Sequence, residues 1–118
     1  MDSKWDLDNA AWSRLHQVGG NEFAIELVSI FLDHTPRVLS EARAAFNAGN
    51  FEPIQRAGHT LKSNCGHLGA LAMRDVAVRL ERAAAAKETD AIPVTLLELE
   101  DAFACVRVHL EEKRRNMA

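Results

Sequence analysis

The chain has 118 residues, a net charge of −3 and 47% hydrophobic residues, enough for one domain with a real core across residues 1–118. Its charges are of mixed sign, which excludes the basic footprint of a nucleic-acid binder. No apolar run approaches transmembrane length, so no direct membrane contact is expected.

Tyrosine is absent, tryptophan scarce and alanine abundant, and three prolines leave long stretches unbroken. These features favour helix over sheet. The N-terminal Met1-Asp2-Ser3-Lys4-Trp5-Asp6 is polar and lacks the apolar centre of a signal peptide. Asp8-Asn9 can cap a short helix from about Ala10 to Val18, ended by Gly19-Gly20. Asn21 can cap the next, where Phe23, Leu27, Ile30 and Phe31 recur at helical spacing. Val38, Ala42, Ala45 and Phe46 continue that pattern to about Ala48, as one long helix with a bend near Pro36 or as two helices nearly in line. Gly49-Asn50 closes it.

A second long helix starts near Phe51, carries Pro53 in its first turn and ends at Gly69. A third runs from about Ala70 to Lys87, with Met73, Val76, Ala77, Leu80 and Ala84 inward. The last shows the clearest seam, because Ile92, Leu96, Leu99, Phe103, Val106 and Leu110 alternate spacings of four and three. Its Lys113-Arg114-Arg115 end complements a helix C-terminus. No window alternates with period two. The fold class is therefore all-α: an antiparallel up-down-up-down four-helix bundle with a short N-terminal capping helix. Cys65 and Cys105 fall on apolar helix faces as read here, and as buried free thiols they suit a reducing, cytoplasmic setting.

One segment does not serve the core. Around the second helix His59, Lys62 and Gly66 fall at roughly 0°, 300° and 340°, one narrow face. Ile54, Leu61, Cys65 and Leu68 fall at roughly 180–240°, the opposite side. His59 is thus expected in water near mid-helix, level with roughly residues 40–41 and 79, beside a cation and a bare patch of backbone. A mid-helix glycine costs about 0.5–1 kcal/mol against alanine, and close approach by a partner at Gly66 would offset that cost. Gly58 also weakens the helix, and its spacing gives no firm reason for it. His16, His34, His67 and His109 have no lysine at the same offset. No HExxH, Glu-x-x-His or metal-ligand spacing of cysteines occurs, so no metal site is expected, and no glycine-rich phosphate loop is present.

The order His59, Lys62, Gly66, Gly69, within Ala57-Gly58-His59-Thr60-Leu61-Lys62-Ser63 and Leu68-Gly69-Ala70, resembles the histidine-containing phosphotransfer (HPt) family. Phe31-Leu32-Asp33-His34-Thr35-Pro36 resembles it too, and the likeness covers about Leu15 to Leu110. Gly58 departs from the alanine common before the family's histidine. The resemblance implies that His59 accepts a phosphoryl group from a receiver-domain aspartate and passes it to another. Neutral imidazole is the attacking form, and a phosphoramidate keeps enough transfer potential for the second step. Lys62 would offset the phosphoryl charge, and Gln55, Ser63 and Gly66 would meet the partner. The implied partners are response-regulator receiver domains and a hybrid sensor histidine kinase, with the chain itself a monomeric phosphocarrier and not an enzyme. No cofactor is implied on this chain; Mg²⁺ is expected on the receiver.

Two other readings stay open. A chemotaxis-type kinase phosphoacceptor module shares the bundle and would draw its phosphate from an ATP domain elsewhere. A plain helical interaction module would need no chemistry. The dimerisation helix pair of a sensor kinase fits less well, because Thr60 and not an acid follows His59 and no proline occurs between Pro53 and Pro93.

Overall fold

The computed structural model describes residues 4–117, so Met1 to Ser3 of the polar N-terminus and Ala118 lie outside it. The described residues form α1 (Asn9–Asn47), α2 (Phe51–Leu68), α3 (Leu71–Ala85) and α4 (Ala91–Met117), without a strand. Each helix packs on its chain neighbour, and α4 returns to α1, while α2 and α4 stand diagonally across the bundle, with no Cα atoms within 8 Å of each other. The helices alternate in direction. Ser29 meets Arg114 and Arg43 meets Glu100, so α4 runs back as α1 advances. His59 meets Glu81 while the Gly66 backbone lies beside Arg74, so α3 runs against α2 in the same way.

The core forms where the four apolar stripes converge. Ile54, Leu61, Cys65 and Leu68 of α2 are buried, as are Met73, Val76, Ala77, Leu80 and Ala84 of α3. All six seam residues of α4 are buried. At its end Arg114 donates to Ser29 Oγ at 3.1 Å, and the Lys113 ammonium stands 5.6 Å from the centre of the Trp12 ring.

The short N-terminal helix ends where expected: within the span of α1 two helices meet across a sharp break at Gly20, whose φ of 71° and ψ of −164° are open essentially to glycine alone. Pro36 lies inside α1 without ending it: Gly20 is the one non-helical position there, and buried Thr35, beside the proline, donates its hydroxyl to the Phe31 carbonyl at 2.7 Å. Cys105 is exposed, not buried. It lies about 120° around the axis from Leu99, outside the seam.

The short initial stretch of α1 caps the bundle as its position implies. Asp8 Oδ2 accepts the Ala11 N–H at 3.0 Å, and the Asp8 N–H donates to the Gly69 carbonyl at 2.8 Å. Gly69 closes α2 in the left-handed region, with φ 77°. A Cβ there would lie 2.9 Å from the Asp8 carbonyl oxygen. That glycine therefore both turns the chain from α2 to α3 and receives the N-terminal segment. Gly69→Ala is expected to lower stability by at least about 1–2 kcal/mol, from the left-handed backbone alone. Urea unfolding of both proteins checks this, and an unchanged midpoint would show that the turn tolerates a side chain.

Candidate functional site

Helix α2 divides along its length into two faces. Its N-cap Asn50 is extended, Glu52 stands in the first turn where a negative charge suits the helix dipole, and Pro53 needs no N–H partner there. From that start the 3.6-residue period sends Ile54, Leu61, Cys65 and Leu68 into the core. It also leaves Gln55, His59 and Ser63 exposed and Lys62 and Gly66 half-buried. The structure thus places all five sequence-derived residues outside the core, and the His59 side chain is 65% exposed.

A sixth residue joins them from α3. Glu81 Oε2 lies 3.0 Å from His59 Nδ1, and Glu81 Oε1 accepts from Lys62 Nζ at 3.1 Å. One carboxylate holds both groups. Partial burial pushes the Glu81 carboxyl up, but the hydrogen bonds from Lys62 and His59, with their charges, outweigh it and hold the group below its ordinary value. An ionised carboxylate only accepts hydrogen bonds, so Nδ1 is the protonated nitrogen of the ring. In the neutral imidazole the lone pair is then on Nε2.

Sequence reading missed Glu81. Its signal was the helix–helix register: with a turn at Gly69, residue 79 was placed level with His59, and Ala77 and Glu81 flank that position. Gly58 was noticed but not explained. It is buried, and a Cβ on it would come within 2.7 Å of Glu81 N and 2.9 Å of both Glu81 Cα and the Ala77 carbonyl oxygen. The two backbones therefore run in direct contact one residue before His59.

Gly66 differs. A Cβ there would find one heavy atom within 4 Å, Arg74 Cδ at 3.7 Å, so tight helix packing does not explain this glycine. Its outer side adjoins a groove of about 550 Å³ lined by Arg14, Leu15, Val18, Phe23, Leu27 and His67 among others. Val18 is one of the most exposed large apolar side chains described.

The remaining histidines do other work or stand alone. His16 Nδ1 lies 3.0 Å from the Trp12 carbonyl, and His109 Nε2 lies 3.3 Å from Asp6 Oδ1. Among the described residues no group of three histidine, cysteine, aspartate or glutamate side chains could hold a metal ion. No described helix is long and apolar enough to cross a membrane. Burial pushes the Cys65 thiol up to about 12, which keeps it protonated and unreactive.

Comparison with known proteins gives a consistent picture. Residues 26–111 match the Hpt domain family. The fold is similar to that in the crystal structure of histidine-containing phosphotransfer protein B (HptB) from Pseudomonas aeruginosa PAO1, with a TM-score of 0.87. The two chains share 24% identity, over 93% of this chain and 95% of that one. No curated protein matches the sequence.

The Glu81 environment predicts a change in acid stability. Its carboxyl titrates lower in the folded chain than its ordinary value of 4.5. The group therefore contributes stability above that pH and loses it as pH falls through the folded value. Glu81→Gln removes this contribution, so the variant's stability is expected to fall less steeply below about pH 4.5. Urea midpoints measured between neutral and acid pH test this; parallel curves would mean that the carboxylate gains nothing from His59 and Lys62.

Proposed function

The chain belongs to the Hpt domain family, a histidine phosphotransfer module of phosphorelay signalling, and on that premise we propose that His59 is its phosphoacceptor. The observation that carries this reading is the Glu81 carboxylate bridging His59 and Lys62 on an otherwise exposed helix face. It leaves the Nε2 lone pair directed to where a partner can reach it.

The chemistry follows from those atoms. Nε2 attacks the phosphorus of an aspartyl phosphate on a receiver domain, the P–N bond forms, and the P–O bond to the donor carboxylate breaks. Nδ1 keeps its proton, so positive charge develops on the ring. Glu81 Oε2 faces that charge at hydrogen-bond distance, as a carboxylate behind a catalytic histidine does. Lys62 Nζ has three N–H donors and gives one to Glu81, which leaves two for phosphoryl oxygens. A second receiver aspartate then attacks phosphorus, and the electron pair of the P–N bond returns to Nε2. Mg²⁺ would sit on the receiver and supply charge neutralisation there. On this reading the chain is a phosphocarrier and not an enzyme by itself.

The docking face comprises Gln55, Ser63 and Gly66 around the His59–Lys62 pair. The apolar groove beside Gly66 continues it towards Val18 and Leu27. A receiver domain is the occupant this surface suits, because it must bring its own acidic site to within bonding distance of Nε2. A kinase phosphoacceptor module would use the same histidine with a different donor.

Incubation with a phosphorylated receiver is expected to add one phosphoryl group, acid-labile and base-stable, and His59→Gln is expected to accept none. Label retained by that variant would exclude His59. Labelling only by an ATP-dependent kinase domain, with none from a receiver, would favour the kinase-module reading.

Gly66 is open enough to be tested separately. Gly66→Ala is expected to stabilise the bundle by up to about 1 kcal/mol, since a Cβ fits. Gly66→Gln is expected to stay folded and to lose receiver affinity. Thermal midpoints and receiver binding measured together check this, and a folded Gln variant with full affinity would remove Gly66 from the docking face.

A further inference from the structure

Gly58 is buried between α2 and α3. The α3 backbone lies directly against it. The three atoms nearest to a Cβ at this position, Glu81 N, Glu81 Cα and the Ala77 carbonyl oxygen, all belong to the α3 backbone, at 2.7 to 2.9 Å. No flexible side chain is present to swing aside. Gly66, two turns further along the same helix, shows the contrast, since there the nearest atom is Cδ of the flexible Arg74 side chain, at 3.7 Å.

The residue whose backbone rests against Gly58 is the residue whose carboxylate holds the next residue in the chain. We propose that Gly58 is a positioning residue for phosphotransfer: it admits the α3 backbone so closely that the Glu81 carboxylate reaches His59 Nδ1 with one oxygen and Lys62 with the other. The proposal rests on the reading of His59 as phosphoacceptor.

The distances show why an alanine would not serve. Carbon atoms in ordinary contact lie about 3.5–4.0 Å apart, so a methyl group must move Glu81 Cα outward by roughly 0.6 Å or more. A hydrogen bond of 3.0 Å lengthened by that amount reaches about 3.6 Å, where it no longer counts as one. The carboxylate already spans two donors on α2, at 3.0 and 3.1 Å. Withdrawal of the backbone lengthens both together, and rotation of the side chain towards one donor carries it from the other. Once Nδ1 loses its acceptor, the ring proton is free to occupy Nε2, and that tautomer has no lone pair facing the partner.

The test reads the tautomer directly. Nitrogen-15 NMR of the His59 imidazole is expected to show the proton on Nδ1 in the wild-type chain and a mixture of tautomers in Gly58→Ala. The transfer rate constant from a phosphorylated receiver is expected to fall about ten- to hundredfold, with receiver affinity unchanged. In a Glu81→Ala background the same substitution at Gly58 should cost nothing more, because the group it acts through is gone. A folded Gly58→Ala protein with the wild-type tautomer would overturn the proposal, as would a full additional loss in the Glu81→Ala background.

Should Gly58→Ala fail to fold, Glu81→Asp draws the carboxylate back by one methylene while leaving both helices in place. It is expected to give the same mixed tautomers, and a wild-type spectrum would overturn the proposal equally. The tautomer is measured without a receiver. It therefore judges Gly58 separately from a wild-type chain that accepts no phosphoryl group, the result that would sink the reading of His59 itself.

Discussion

The rotation of α2 about its own axis is the constraint from which the site follows. With 3.6 residues per turn, Ile54, Ala57, Leu61, Cys65 and Leu68 enter the core and the opposite face cannot. Ile54 and Leu61 are fully or almost fully buried, and their burial fixes which way the helix faces. Each such side chain contributes about 1.5–3 kcal/mol, far more than any surface contact of the helix. The outward direction of His59 is thus set by groups on the opposite side of the helix. A change that rolled the helix to bury His59 would expose the core stripe and forfeit several such contributions together.

The polar side of the helix works on a smaller energy scale. An exposed ion pair such as Lys62–Glu81 contributes roughly 0–1 kcal/mol to stability, and the bond to His59 is of the same order. Those interactions do not hold the bundle together. They select one ring tautomer and one ring orientation from the several that an exposed histidine would otherwise sample. Interactions worth only a fraction of a kcal/mol in folding can thus decide which nitrogen presents its lone pair outward.

Much of this was legible in the chain. The α4 seam is read from spacing alone, since Ile92 to Leu110 recur as a bundle requires and all six are buried. The outward face of α2 is read in the same way, because both results depend only on local periodicity. What escaped depends on how one helix lies against another. Glu81 stands 22 residues from its partner His59, across a turn, and no helical period connects them. Gly58 looked like a weak point in a helix because its reason is an α3 backbone that the α2 sequence does not mention. Pro36 shows a different limit, since it sits inside a helix that keeps its dihedrals through the proline, and the ring alone does not say whether a helix ends there. Cys105 shows the limit of reading a face by neighbourhood, since it adjoins Val106 in sequence and yet lies off the seam.

The two cysteines have a practical consequence for studying the molecule. Cys65 is sealed in the core and held protonated, while Cys105 is exposed on α4, diagonally across the bundle from α2. A thiol reagent therefore meets one addressable sulfur in the native chain, and it lies on a helix diagonally opposite the one that carries His59. A fluorophore or spin label attached at Cys105 would follow rotation and complex formation without occupying the His59 face, and no cysteine would first have to be removed from the core.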